Sequence, residues 1–491
     1  MPNYDAIADK IRGCIFGSAL GDAVGLATEF MSKDTAYAIY GDAPLSFDQF
    51  YIDSHRQKWI PGDFTDDTDQ HMILLSTILA ARPTLRLSST EFARRLYAWS
   101  CTGLLTLRKP SLGIGATVGT VLSQPDYTSH PIATAFEMWV RGGKSAAANG
   151  AVMRVAALGC VGFWCKEEEE VVVVRNAVAS ARCTHADPRC VFSAVVVAVL
   201  VARMLREEAG GGGVGVNGGG GGEVSPAELT VEAFGGDDDE PGDFELPEDI
   251  RRPGNAPAAD AAGSGGIFTR LANVFSSLTQ KTRAQQWASI YEEFAQRLKT
   301  TRTNFPAPPS KPAPPPAPPS TTTAFPTTPD PARLAATQAV LATYLPLLAM
   351  YGAGTSDQEW EFDVATYCHK PTLATLALDD RATMGYTLKC LGVALLCHAI
   401  PATAGTTAAA PPPPHGALFR DAITAVVREG GDADTNAAVC GALVGCRVGY
   451  KELPKEWLAG LRNKAWLEER VDALIEVVIE RLKTAVGDKV V

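Results

Sequence analysis

An all-α fold is predicted for this 491-residue chain by three observations. Apolar residues recur at three- and four-residue spacing through most of its length. Persuasive alternating strand segments are scarce, and two separated segments carry glycine at every fourth position. Two stretches with this pattern, 1–205 and 333–491, read as one split helical domain. The intervening residues, 206–332, change composition abruptly and read as a low-complexity insertion.

The first element carries Gly13, Gly17, Gly21 and Gly25, and a late one carries Gly441, Gly445 and Gly449. Glycine inside a helix costs up to about 1 kcal/mol, so these ladders predict close helix–helix approach. Met72, Leu75, Ser76 and Leu79 lie at helical spacing behind Asp67-Thr68, a candidate N-cap. Glu167 to Glu170, followed by Val171 to Val174, reads as a solvated helix start running into a buried segment. Asp187-Pro188 opens a helix with an apolar body through Leu205. A buried strand competes there because valine dominates, and length favours helix. Its most apolar part, Val191 to Ala202, falls short of the roughly 20 residues needed to cross a bilayer.

The insertion begins with the glycine run Gly210 to Gly222, continues through acidic Asp237 to Glu240, and includes a proline tract from Pro306 to Pro331. Such segments cannot bury enough apolar surface to offset chain entropy. One island, 267–298, has helical periodicity (Phe268, Leu271, Val274, Phe275, Leu278, Trp287, Ile290, Phe294) and reads as a docked helical pair or as transient structure. Helical patterning resumes at Ala332 to Met350 and Thr383 to Ile400, with a loop from Ala402 to Pro414. It continues at Arg420 to Arg428, Thr435 to Val448 and Val471 to Thr484.

A net charge of -11 argues against a nucleic-acid-wrapping protein. The eleven cysteines are scattered, without a C-x-x-C pair or a zinc-like Cys/His spacing, which suits a reducing compartment. The start, MPNYDAIADKIRGC, lacks the apolar core of a secretory signal. The expectation is a cytoplasmic protein, with the nucleus as alternative, acting as a monomer with no membrane or nucleic-acid partner.

Two short motifs carry the chemistry. Pro61-Gly62-Asp63-Phe64-Thr65-Asp66-Asp67-Thr68 and Gly430-Gly431-Asp432-Ala433-Asp434-Thr435 each precede a helix. Each places carboxylates and a threonine hydroxyl in a turn, where neighbouring side chains can converge. Hard divalent cations take such oxygen ligands, and four carboxylates balance the charge of two of them. Taken singly, either motif reads equally well as an N-cap with acids at the positive end of the helix dipole. Neither has the spacing of an EF-hand.

Together with three further motifs, the chain resembles the ADP-ribosylglycohydrolase family over about 1–205 and 333–450. Gly17-Ser-Ala-Leu-Gly21-Asp22-Ala-Val-Gly25 leading to Glu29 is similar to its N-terminal motif, and the two acidic turns to its metal-binding motifs. Asn149-Gly150-Ala151-Val152-Met153-Arg154 resembles its substrate loop, and His185-Ala-Asp187-Pro188 its histidine motif. The resemblance implies an orthogonal helical bundle with two Mg2+ or Mn2+ ions. Thr65, Asp66 and Asp67 would ligate from one side, and Asp432, Asp434 and Thr435 from the other. Glu29 would stand beside the metals, gating the site or assisting proton transfer. Asn149, Gly150, His185 and the turn of Gly113 and Gly115 would line the pocket for ribose and diphosphate.

The implied activity is hydrolysis of an ADP-ribosyl bond to a protein side chain, or of O-acetyl-ADP-ribose. A non-catalytic, crystallin-like relative and a metal-dependent phosphate-ester hydrolase are the alternatives. This chain departs from the family pattern at Ala433, where many relatives carry threonine. It departs again at Ala146-Ala147-Ala148, which lacks the serine or aromatic residue often found there.

Overall fold

The computed structural model describes residues 2–163, 170–210, 289–290, 292–300, 329–350, 355–401 and 416–487. Among them there is no strand; the only β-type pairings are two isolated bridges, Leu104 with Lys109 and Ala148 with Tyr386. The all-α expectation holds for these residues.

The two glycine ladders form one seam. The helix Tyr4–Gly25 lies antiparallel along the helix Ala433–Val448. A Cβ built on Gly13 would come 2.2 Å from the carbonyl oxygen of Gly445, and one on Gly17 2.2 Å from that of Gly441. The same construction puts Gly21 at 2.0 Å from Ala437 O and Gly25 at 2.4 Å from Ala433 O. Backbone meets backbone along the seam, which only glycine permits. At its far end Gly25 and Ala433 meet, so the residues just past each terminus are delivered to one place.

The valine-rich segment is a helix, Pro188–Glu208, capped by Asp187, whose side chain accepts from Arg189 N–H. It is buried almost all round, and Gly159 of the helix Ala156–Gly162 lets the two backbones touch at Ala198 O. At 21 residues it is longer than its apolar centre suggested, long and apolar enough to cross a membrane, yet 89% of that window is buried inside the protein. A second helical stretch, Pro331–Ala349, passes the same test with 33% buried. The Glu170–Arg182 helix buries Val173 and Val174, while residues 164–169 lie outside the described ones.

The helix carrying Met72 starts two residues earlier than a cap at Asp67 implies. Thr65 is its N-cap, accepting from Asp67 N–H at 3.3 Å, and Asp66 opens it. Of the helical island, 267–288 lies outside the described residues. Residues 289–290 and 292–300 are helical, with Ile290 and Phe294 buried and Arg297 Nη1 donating to Leu107 O at 3.3 Å. The tracts at 211–288, 301–328 and 402–415 likewise fall outside them.

Candidate metal centre

The two acidic turns touch. Thr435 Oγ1 donates to Asp67 Oδ1 at 3.2 Å, joining residues 368 positions apart. Asp66 and Asp67 open the helix Asp66–Ala80, Asp432 sits at the N-cap of the Ala433–Val448 helix, and Asp434 lies in its first turn. Glu29 follows the N-terminal glycine helix by four residues, and the seam carries it to the same spot. Glu29, Asp432 and Asp434 each present an oxygen, all within 4.8 Å of one another. Carboxylates from both ends of the chain therefore converge.

Backbone bonds hold that convergence. Phe30 N–H donates to Gly431 O at 2.6 Å, and Gly431 N–H to Met31 O at 2.8 Å. Gly431 has φ +66, and a Cβ there would fall 1.9 Å from Leu378 O. Asp22, fully buried in the glycine helix, receives Thr65 N–H at 2.9 Å, Thr68 N–H at 3.0 Å and Thr68 Oγ1 at 2.6 Å. It caps the Asp66–Ala80 helix from a distance.

The electrostatics of this cluster are unfavourable as it stands. Burial raises the carboxyls of Asp66, Asp67 and Asp434 well above the usual carboxylate range, and their acidic neighbours push the same way. Asp22, Glu29 and Asp432 are raised too, chiefly by desolvation. Asp67 Oδ2 and Asp434 Oδ1 are buried acceptors without a hydrogen-bond partner. An unsatisfied buried acceptor is costly, and a cation removes that cost. Hard oxygen donors, concentrated negative charge and two orphaned lone-pair sites fit a divalent cation.

The remaining residues singled out from sequence fall around this cluster. Asp66 Oδ2 accepts from Gln70 Nε2 at 2.8 Å. Its Oδ1 faces Gly113, where φ is +90 and a Cβ would lie 2.6 Å away. Close approach is required at Gly113 and not at Gly115, which caps the Ala116–Leu122 helix and has nothing within 4 Å of the place a Cβ would occupy. Asn149 Nδ2 donates to Asp432 Oδ2 at 2.9 Å, and its N–H to Gly385 O at 3.0 Å. Gly150 backs onto His185, whose Cε1 would be 3.0 Å from a Cβ there.

His185 is held neutral, its pKa lowered to about 3 by burial and by Arg154. Arg154 Nη2 donates to Thr184 Oγ1 at 2.7 Å, and that hydroxyl lies 2.8 Å from His185 Nδ1. The imidazole edge that carries Cε1 and Nε2 faces Gly150. Arg154 itself is fully buried, bound to Gln70 Oε1 and Ser180 O, and is no surface ion-pair partner.

Several site residues leave no signal in the sequence. His55 Nε2 lies 2.7 Å from Glu29 Oε2, and buried Arg56 binds the carbonyls of Ala27 and Glu29. Lys109, 2% exposed, reaches Asp69 and the Phe64 carbonyl. None belongs to a repeating pattern; Asp22 alone stands inside a recognisable motif.

The profile of the ADP-ribosylglycohydrolase family matches residues 3–302 and 322–483. An uncharacterized protein of Archaeoglobus fulgidus is 32% identical over 194 residues, which are 40% of this chain and 55% of that protein. The ADP-ribosylarginine hydrolase Tri1 of Serratia proteamaculans is 29% identical over 124 residues, 25% of this chain and 29% of its own. The chain thus matches about half, or less, of the length of these curated relatives. A solved chain described as an ADP-ribosylglycohydrolase-related protein complex aligns over 96% of this chain and 99% of its own, at 17% identity and a TM-score of 0.47. On the extent of the profile match, this chain belongs to the ADP-ribosylglycohydrolase family.

Proposed function

We propose that this chain is a divalent-cation-dependent hydrolase of the glycosidic bond between ADP-ribose and a protein side chain or small acyl group. The observation that carries the reading is the convergence of Glu29, Asp432 and Asp434, with Asp67 joined to them through Thr435. Family membership supports the class of reaction, and the Serratia relative makes arginine-linked ADP-ribose the first substrate to try.

Asp66 and Asp67 on one side, and Asp432 and Asp434 on the other, would hold two Mg2+ or Mn2+ ions, with Thr65 and Thr435 contributing hydroxyl oxygens. When bound, the ions supply a template for ribose hydroxyls and Lewis-acid polarisation of water. The protein's own residues do the rest. Asn149, already bonded to Asp432, ties the substrate loop to the ligand turn. His185, in the tautomer protonated at Nε2, would donate to a ribose or phosphate oxygen, and its neutrality would let it do so without adding charge. Glu29 stands within the cluster with its carboxyl raised, placed to gate the site or pass a proton. The carboxylate-rich wall favours the positive charge that develops on the sugar as the glycosidic bond breaks.

The test is release of free ADP-ribose from arginine-linked, serine-linked and O-acetyl substrates with Mg2+ or Mn2+. The expected result is turnover of at least one substrate, abolished by EDTA and by Asp434→Ala. Turnover that survives both sinks the mechanism. Tight ADP-ribose binding without turnover identifies a binding protein instead, and phosphate release identifies a phosphoesterase.

A further inference from the structure

Lys109 is the most deeply buried amine among the described residues, 2% exposed, and burying an ammonium is costly unless its protons are all used. They are. Nζ donates to Asp69 Oδ1 at 2.6 Å and to Phe64 O at 2.7 Å, with Thr65 O at 3.5 Å and Asp63 Oδ1 at 4.0 Å. It also lies 4.1 Å from the centroid of the Phe64 ring. Asp69 is fixed in turn by Trp99 Nε1 at 3.0 Å, and Asp63 by Asn463 Nδ2 at 3.3 Å. The lysine's own backbone is pinned at Leu104, whose N–H donates to Lys109 O at 2.8 Å.

The partners that matter are the two carbonyls. Phe64 and Thr65 are where the chain turns into the Asp66–Ala80 helix, and their amide side is already held, since Thr65 N–H binds Asp22. The turn is gripped between an anion at its amides and a cation at its carbonyls. Asp66 and Asp67 follow directly and inherit their direction from that grip.

We propose that Lys109 is a positioning residue that holds the Thr65–Asp67 turn in its cation-receiving shape before any cation arrives. The proposal rests on the metal-centre reading above. It has a rival in which Lys109 merely balances the charge of the acidic cluster, and the two predict opposite signs. A fixed positive charge repels a divalent cation, so deleting a mere counter-charge tightens cation binding. Deleting a positioning residue loosens it.

The experiment is calorimetric titration of the full chain with Mn2+ alone, for wild type and Lys109→Met, with circular dichroism and thermal melting to confirm folding. The expected result is Mn2+ binding by the variant that is roughly 10- to 100-fold weaker, the range usual for losing an outer partner of a metal ligand. Equal or tighter binding by the folded variant overturns the proposal while leaving the metal centre intact. A lysine that serves the fold alone lowers the melting temperature and leaves the Mn2+ Kd unchanged. Absence of Mn2+ binding by the wild type overturns the metal-centre reading, and the proposal with it. Should Lys109→Met fail to fold, Lys109→Gln is judged by the same sign, because it deletes the charge and shortens the reach.

Discussion

Gly113 shows how one residue constrains the site. Its φ of +90 disfavours any side chain, and a methyl there would stand 2.6 Å from Asp66 Oδ1. The Gly113→Ala variant is therefore expected to push the Asp66 carboxylate out of place. Its cost should appear as weaker Mn2+ binding and a lower kcat, with overall stability falling by only about 1–2 kcal/mol. Titration of the folded variant with Mn2+ checks this, and unchanged affinity rejects it. Gly115→Ala is the control, with open space around it. At this scale the sequence is readable only where chemistry lies in contiguous words. Asp66-Asp67 and Asp432-Ala433-Asp434 each read equally well as helix caps, and it is the two acidic turns taken together that announce a cation site. Lys109, His55 and Asp69 acquire meaning only from partners distant along the chain. Asp67-Thr68 reads as a cap, yet the cap belongs to Thr65 and Asp22, because one supplied from 43 residues away leaves no local trace.

At the scale of elements, the glycine seam converts a helix pair into a positioning device. Gly17 Cβ would overlap the Gly441 carbonyl oxygen at 2.2 Å, and that oxygen belongs to helical backbone that no rotamer change can move. Alanine improves isolated helix propensity by up to about 1 kcal/mol, so a peptide argument alone makes Gly17→Ala stabilising. Overpacking at a backbone contact acts against it, typically by about 1–3 kcal/mol and at times more. The clash wins here: net destabilisation is expected in chemical denaturation, along with lower cation affinity as Asp22, Glu29 and Asp432 are displaced together. A Gly17→Ala protein at least as stable as wild type with unchanged Mn2+ affinity contradicts the seam's role. The ladders are legible because four-residue spacing survives translation into a helix face. Their pairing and antiparallel direction are not, because nothing in either segment names its partner. The Pro188–Glu208 helix matches the apolar body read through Leu205 and runs three residues past it.

For the whole molecule, the raised carboxyls make cation binding and folding depend on pH together. Asp66, Asp67 and Asp434 lie well above the carboxylate range when folded without a cation, and Asp69 is pushed up to about 6 despite Lys109. An acid whose folded pKa is raised binds more protons folded than unfolded. Its contribution favours folding below the ordinary carboxylate pKa and is lost as pH climbs through the raised value. Buried His71, His185 and His398 act in the opposite direction, their pKa values lowered by burial to about 4, 3 and 3. They favour the fold above the ordinary histidine pKa and lose that contribution as pH falls. The melting temperature of the cation-free chain therefore mixes two opposing slopes and diagnoses neither. The increment caused by a cation separates them, because protons compete with the cation for the carboxylates, while none of the three imidazoles belongs to the cluster. At a fixed Mn2+ concentration the rise in melting temperature should be small near pH 5 and larger near pH 8. It is set by how far the concentration exceeds the pH-dependent Kd, about 2.7 kcal/mol at a hundredfold excess. Asp434→Ala should flatten the dependence by removing a ligand and its repulsion. A cation increment equal at both pH values, or greater at pH 5, means that the ion stabilises the chain somewhere other than among these carboxylates.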